Sequence, residues 1–306
     1  MDSYVIGVDI GGTGTKYGIV DKDGNVLHSS SMPTNTHEQV HTFIDELYER
    51  LSELIEKVGG VGRIKGIGIG APNGNIYTGT IEYAPNLPWK GVIPFAKMVQ
   101  DKFKLPVKLT NDANAAAVGE MMYGAAKGMK DFIMITLGTG VGSGIVANGQ
   151  LIYGHDGFAG ELGHTIIIPD GRLHTGTGKK GSLESYASAT GVAQSAMEIL
   201  KTTDRPSILR EIPIEKITSK DVFEAAQKDD EVAKEVGLKD EISLITEEAM
   251  QGQLDFTDSF KNKSHIIQIT SFCDFVSTCE KFRRSQKIFS FLALHIVSNS
   301  IIHSSQ

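Results

Sequence analysis

One hairpin pattern occurs twice in this 306-residue chain, and it limits the possible folds more than any other feature. The first copy runs from Val5-Ile6-Gly7-Val8-Asp9-Ile10 into Gly11-Gly12-Thr13-Gly14-Thr15-Lys16, continues through Tyr17-Gly18-Ile19-Val20 and turns at Asp23-Gly24. The second runs from Phe132-Ile133-Met134-Ile135-Thr136-Leu137 into Gly138-Thr139-Gly140-Val141-Gly142-Ser143-Gly144, continues through Ile145-Val146-Ala147 and turns at Asn148-Gly149. Apolar run, glycine-threonine loop, apolar run and Asx-Gly turn are the signals of a strand hairpin. Glycine lets the backbone approach an anion closely and aim successive N–H groups at it. One such loop is a weak signal, because glycine is common wherever strands bend. Two in one order suggest two related half-structures that face a shared phosphate group.

The remaining composition narrows the class. A formal net charge of -7 argues against a nucleic-acid binder, which carries a basic face. No apolar run reaches the roughly 18 residues of a membrane span. The stretch 288–302 comes closest but is interrupted by Ser290, His295, Ser298, Asn299 and Ser300. Met1-Asp2-Ser3 opens no signal-peptide pattern. Cys273 and Cys279 are the only cysteines, a count that fits a reducing compartment. The expectation is a cytoplasmic α/β protein.

Along the chain, residues 4–30 read as three short strands. The stretch 38–57 places Val40, Phe43, Ile44, Leu47, Leu51, Leu54 and Ile55 on one face of an amphipathic helix. Gly66-Ile67-Gly68-Ile69-Gly70-Ala71 reads as a strand buried on both faces. A helix over 95–103 and a strand over 107–110 follow, then Asn111-Asp112 and an alanine-rich helix over 113–124. Strands that alternate with helices indicate an α/β fold. The boundary expected near 118–130 gives two domains, 1–120 and 121–236.

From residue 237 the pattern changes. No glycine follows Gly252, where ordinary usage predicts about four. Seven of the 13 phenylalanines and both cysteines fall in this stretch. The segment 237–306 is therefore expected to be an anomalous, divergent or substituted C-terminal part.

The paired hairpins, Asn111-Asp112 at a strand end and Gly160-Glu161-Leu162-Gly163-His164 together resemble the ROK family of sugar kinases, most of all its ATP-dependent glucokinases. The resemblance covers residues 4–236. It implies the two-domain actin-like, hexokinase (ribonuclease H-like) fold and transfer of the γ-phosphoryl of ATP to a hexose, with glucose converted to glucose 6-phosphate in glycolysis. It also implies Mg²⁺, a cytoplasmic location and, since members of the family are often dimers, a homodimer. Repressors in the family carry an additional N-terminal helix-turn-helix. Here the first hairpin begins at Val5, so DNA binding is not expected.

Read from the residues alone, Asp112 is either the cap of the helix that follows it or a general base; the resemblance favours the base. The resemblance places Glu161, His164 and Glu184 on the sugar, joined by Asn111 and Asp112, with Asn86 contributing from the small domain. Asn86 also suits the initiation of a turn. Asp9, at the end of the first strand, would position Mg²⁺ directly or through water. Gly11, Gly12, Thr13 and Lys16 would hold the γ side of ATP, and Gly138, Thr139 and Gly140 the β side. Lys16 alternatively reads as a solvated strand charge.

Two departures qualify the resemblance. The family commonly carries Cys-x-Cys-Gly-x-x-Gly-Cys as a zinc site, with the histidine matching His164 as the fourth ligand. Thr175, Thr177 and Ser182 stand where those thiolates would be, and neutral hydroxyls are poor zinc ligands, so no zinc site is expected. Beyond residue 236, the family's Gly-Gly turn against the adenosine and its final helix have no counterpart. The alternative function is thus a catalytically defective, sugar-binding kinase homologue that lacks part of the nucleotide pocket.

Overall fold

The computed structural model describes residues 3–236 and 267–268. They belong to two compact units, one built from 3–130 and 144–160, the other from 131–143, 161–236 and 267–268. The sequence expectations for 237–306 lie outside the described residues except at 267–268. Among the described residues no helix is long and apolar enough to cross a membrane.

The first unit is a five-stranded sheet with helices. Its strands are β1 (Tyr4–Ile10), β2 (Gly14–Val20), β3 (Val26–Pro33), β4 (Ile64–Ala71) and β7 (Val107–Asn111), in the order β3-β2-β1-β4-β7. A short antiparallel pair, β5 (Ile81–Glu82) and β6 (Val92–Ile93), lies between β4 and β7 in sequence. β1 and β2 pair antiparallel with Asp9 opposite Lys16. β1, β4 and β7 run parallel, with Asp9 level with Gly70 and Ala71 level with Asn111. The register therefore places Asp9 and Asn111 at the carboxyl ends of the two parallel strands that flank β4, where open α/β sheets bind ligands.

The helices α1 (Val40–Lys57) and α2 (Phe95–Phe103) supply the core of this unit. The apolar face read from the sequence is the buried one: Phe43, Ile44, Leu47, Leu51, Leu54 and Ile55 all point inward. Phe43 packs edge-on against Trp89 at 4.7 Å between ring centroids, and Trp89 stacks on Phe95 at 5.8 Å. Tyr17, Ile67 and Ile69 from the sheet complete the same apolar cluster. α2 ends at Lys104, which takes a left-handed conformation (φ 56°).

The repeat hairpin supplies β8 (Phe132–Leu137) and β9 (Val141–Ala147), followed by β10 (Gln150–Leu151). With β11 (Ile267–Gln268), which runs parallel to β8, they form a sheet in the order β10-β9-β8-β11. Asn148 and Gly149 both have positive φ, 52° and 73°, as a tight hairpin turn demands. Segment 144–160 groups with the first unit: Asn75 Nδ2 donates to Asp156 O at 2.9 Å, and the Tyr77 hydroxyl to Gly154 O at 2.9 Å.

The second unit continues with α4 (Glu184–Ala187), α5 (Ala189–Thr202), α6 (Ser219–Gln227) and α7 (Glu231–Val236). Val192, Ala196 and Leu200 of α5 pack with Val222, Ala225 and Ala226 of α6 and Val232 of α7. Thr218 and Asp221 form a reciprocal capping box at the start of α6.

Candidate active site

The predicted site residues fall into two groups, one in each unit. In the first, the helix α3 (Asp112–Tyr123) begins where β7 ends, and Asn111 is its N-cap. Asn111 Oδ1 accepts from Ala113 N–H at 2.9 Å and from Asn114 N–H at 3.3 Å. The capping task that the sequence also allowed for Asp112 is thus carried by its neighbour. Asp112 stands in the first turn, where the helix dipole favours a negative charge, and its Oδ1 accepts from Ala113 N–H at 2.8 Å.

Burial raises two carboxyls here, and the charge of one acts on the other. The carboxyl of Asp9 is raised from 3.8 to about 6, first by burial and then by the charge of Asp112, while Lys16 across the hairpin pulls it down. The carboxyl of Asp112 is also raised, by desolvation, against the opposing hydrogen bond from Ala113 N–H. By accessible area Asp112 is an exposed residue. Its outer edge meets solvent, while the protein packed around it still weakens hydration of the charged form. Two carboxylates at the ends of the strands that flank β4, one of them raised by the charge of the other, fit a divalent cation, whose charge relieves that repulsion. Asp9 is the residue that would hold it.

The first glycine loop is shaped by close backbone approach. Gly11 N–H donates to Gly14 O at 3.0 Å, closing the turn. A Cβ on Gly12 would lie 2.6 Å from Asn86 O, so the 84–89 loop crosses directly over this glycine. Sequence reasoning named Asn86 and Gly12 separately, and the structure puts them in contact. Lys90 holds the crossing loop by donating from Nζ to Leu87 O at 2.8 Å and to Pro85 O at 3.3 Å. Thr13 is exposed at the tip.

In the second unit Gly138 N–H donates to Gly140 O at 2.9 Å, a turn one residue tighter than the Gly11–Gly14 closure of the first loop. Among the described residues nothing lies within 4 Å of the Cβ position of Gly138, so that face has room for an anion. Thr139 is exposed. Gly140 is hemmed in: a Cβ there would lie 2.5 Å from Glu184 Oε2, which accepts from Val141 N–H at 2.7 Å. Glu184, assigned to the sugar from the resemblance, therefore sits directly on the second glycine loop.

Glu161 and His164 bracket a short 3₁₀ turn, Leu162–His164, with His164 Nε2 at 3.9 Å from Glu161 Oε2. Both side chains are exposed. His174 is a polar neighbour of the site that no motif in the sequence marks for sugar or nucleotide. It reaches Glu184 Oε1 from Nε2 at 2.7 Å and lies 6.0 Å from His164, ring to ring. Its sequence signal was only its position beside the altered loop. Of the three hydroxyl residues that stand where thiolates were expected, Ser182 is buried and bonded to Ser185 Oγ at 2.8 Å. Thr177 Oγ1 lies 2.9 Å from His174 Nδ1, and Thr175 is exposed. Among the described residues, no three His, Cys, Asp or Glu side chains cluster as a metal set.

Comparison with known proteins agrees with this architecture. The ROK family model matches residues 5–244, and the chain belongs to the ROK family. A glucokinase of Halalkalibacterium halodurans is 39% identical over 240 residues, which span 76% of this chain and 71% of that protein. A xylose repressor of Caldicellulosiruptor bescii is 31% identical over 233 residues, 75% of this chain and 58% of the repressor. Among solved structures, a ROK family glucokinase from Streptomyces griseus, in complex with glucose and AMPPNP, superposes with a TM-score of 0.64 at 33% identity. That match covers 85% of this chain and 80% of the other. The fold is thus mixed α/β of the actin-like, hexokinase type.

Proposed function

We propose that this chain is an ATP-dependent hexose kinase that phosphorylates glucose to glucose 6-phosphate. The observation that carries the reading is the placement of Asp112. Its carboxylate stands at a parallel strand end, on a helix capped by another residue, in the same row as Asp9 and the first glycine loop. The similarity to glucokinases supports the substrate class. In this reading residues 1–120 form the small domain and 121–236 the larger one.

Asp112 accepts the proton of the attacking sugar hydroxyl, and its desolvation strengthens it as a base. Asn111 and Asn86 in the first unit, with Glu161, His164 and Glu184 in the second, hydrogen-bond the sugar hydroxyls and fix which one is presented. Gly11, Gly12, Thr13 and Lys16 hold the γ end of the nucleotide, and Gly138, Thr139 and Gly140 its β end. When bound, Mg²⁺ at Asp9 supplies charge neutralisation on the phosphate oxygens.

The test is ADP release measured across a panel of hexoses, with Asp112→Asn as the control. Glucose is expected to give the highest kcat/KM, and Asp112→Asn to lower kcat by about 10²–10⁴ with the fold intact by circular dichroism. Undiminished turnover in that variant would remove Asp112 from the reaction. The xylose repressor relative motivates a second reading, in which the chain binds sugar without turnover. Calorimetric glucose binding with no nucleotide binding would favour it.

A further inference from the structure

His174 lies outside the set of residues assigned to sugar and nucleotide, yet its ring is held from both sides. On one side, Thr177 N–H donates to Nδ1 at 3.2 Å. A backbone N–H can only donate, so Nδ1 is an acceptor and the ring proton is placed on Nε2. The Thr177 hydroxyl, 2.9 Å from the same nitrogen, then also donates to it. On the other side, Nε2–H points at Glu184 Oε1 at 2.7 Å. The backbone of this turn is pinned as well: His174 N–H donates to Lys179 O and Gly178 N–H to His174 O, each at 2.8 Å.

The other oxygen of Glu184 accepts from Val141 N–H at 2.7 Å, just past the second glycine loop. The carboxylate is thus clamped between an imidazole N–H and a backbone N–H, one donor per oxygen. A glutamate side chain has three rotatable bonds, and two opposed donors select one of its arrangements. Glu184 and His174 are both largely sheltered, with side-chain exposures of 17% and 20%.

We propose that His174 is a positioning residue for the sugar site: it orients the Glu184 carboxylate through a fixed Nε2–H tautomer that Thr177 imposes. The inference rests on the reading of Glu184 as a sugar ligand. It links the 171–182 loop to substrate binding through hydrogen bonds alone. Removing the histidine leaves Glu184 held by Val141 N–H alone, so the sugar is held less well in the ground state, while Asp112 and the Val141 bond at the second glycine loop remain.

In the full-length protein, His174→Ala is expected to raise the KM for glucose about tenfold, the scale of one charge-assisted hydrogen bond. The kcat and the KM for ATP should stay within about twofold of wild type. His174→Gln keeps an N–H donor and should recover a large part of the loss. The proposal is overturned if the glucose KM is unchanged in His174→Ala, if both KM values rise together, or if glutamine rescues no better than alanine. A wild-type protein without sugar-dependent ADP release would instead sink the kinase reading. The positioning pair would then be tested by imidazole ¹⁵N shifts and by a urea-denaturation cycle of His174→Ala with Glu184→Gln. An Nε2-protonated ring and non-additive midpoints support the pair, and an Nδ1-protonated ring or additive midpoints refute it.

Discussion

The core of the first unit and the 171–198 stretch of the second are held together by opposite means. Around Phe43 the contacts are apolar: Trp89, Phe95, Leu47 and Ile67 fill the space between helices and sheet, and Trp89 Nε1 donates to His37 O at 3.0 Å. Around Arg172 the contacts are polar. Its guanidinium donates to Ser185 O at 2.5 Å, Gly191 O at 3.0 Å, Ser195 Oγ at 3.0 Å and Glu198 Oε2 at 2.7 Å, while lying 4.6 Å from the centre of the Tyr186 ring. The Tyr186 hydroxyl in turn accepts from Arg172 N–H at 2.7 Å. The contacts of an apolar core are non-directional, and its close packing makes it sensitive to lost volume rather than to lost angles. A guanidinium with several fixed acceptors is directional, and this one ties the start of the 171–184 loop to the backbone of Ser185 and Gly191.

The apolar core is most sensitive at Phe43. Phe43→Ala removes a fully buried ring and is expected to cost about 3–5 kcal/mol, read from the midpoint of urea unfolding. A loss below about 1 kcal/mol would show that the aromatic cluster is not what stabilises this unit.

Arg172→Ala should come next, at about 2–4 kcal/mol, because the side chain is only 8% exposed and its removal strands several buried acceptors. Arg172→Lys should recover little, since an ammonium cannot reproduce the planar fork. Equal stability of the lysine and arginine forms would reduce this staple to a simple charge.

The smallest effect sharpens the contrast between polar and apolar support. Asp230 accepts from Ile208 N–H at 2.6 Å, Ala233 N–H at 2.9 Å and Ser207 Oγ at 3.1 Å. Burial opposes ionisation of its carboxyl, but these donors outweigh it and hold the carboxyl below its ordinary value of 3.8. A carboxyl lowered by folding contributes stability above its unfolded value and loses it as pH falls through the folded one. Asp230→Asn should therefore cost about 1 kcal/mol above about pH 5, and the deficit should close as the pH drops below 3.8. A deficit independent of pH would mean that the charge of Asp230 adds nothing.

Much of the first unit was legible in the sequence because burial leaves a periodic trace. The inward face of α1 is the apolar set read from spacing, and α2 spans the predicted residues 95–103. The strand ending at Asn111-Asp112 was legible for the same reason, since a β-run gives way there to an alanine-rich helix. The assignment of the cap was not. Asn and Asp both cap helices, and only the observed dihedrals and donors give the task to Asn111. The contact of Asn86 with Gly12 was likewise hidden, because two residues far apart in the chain met through loop paths that composition does not encode.

By itself the sequence determined the alternation of strands and helices, the paired glycine hairpins and the residue types available for phosphate and sugar chemistry. Each of these follows from short-range constraints: side-chain period, turn stereochemistry and the small size of glycine. Only the tertiary structure decided that the charge of Asp112 raises the carboxyl of Asp9, that Glu184 lies against the second glycine loop, and that His174 bonds to it there. Those pairings depend on directional polar contacts across long sequence separations or across an irregular turn. Such contacts leave no periodic signal, and their geometry is fixed only once the surrounding chain has packed.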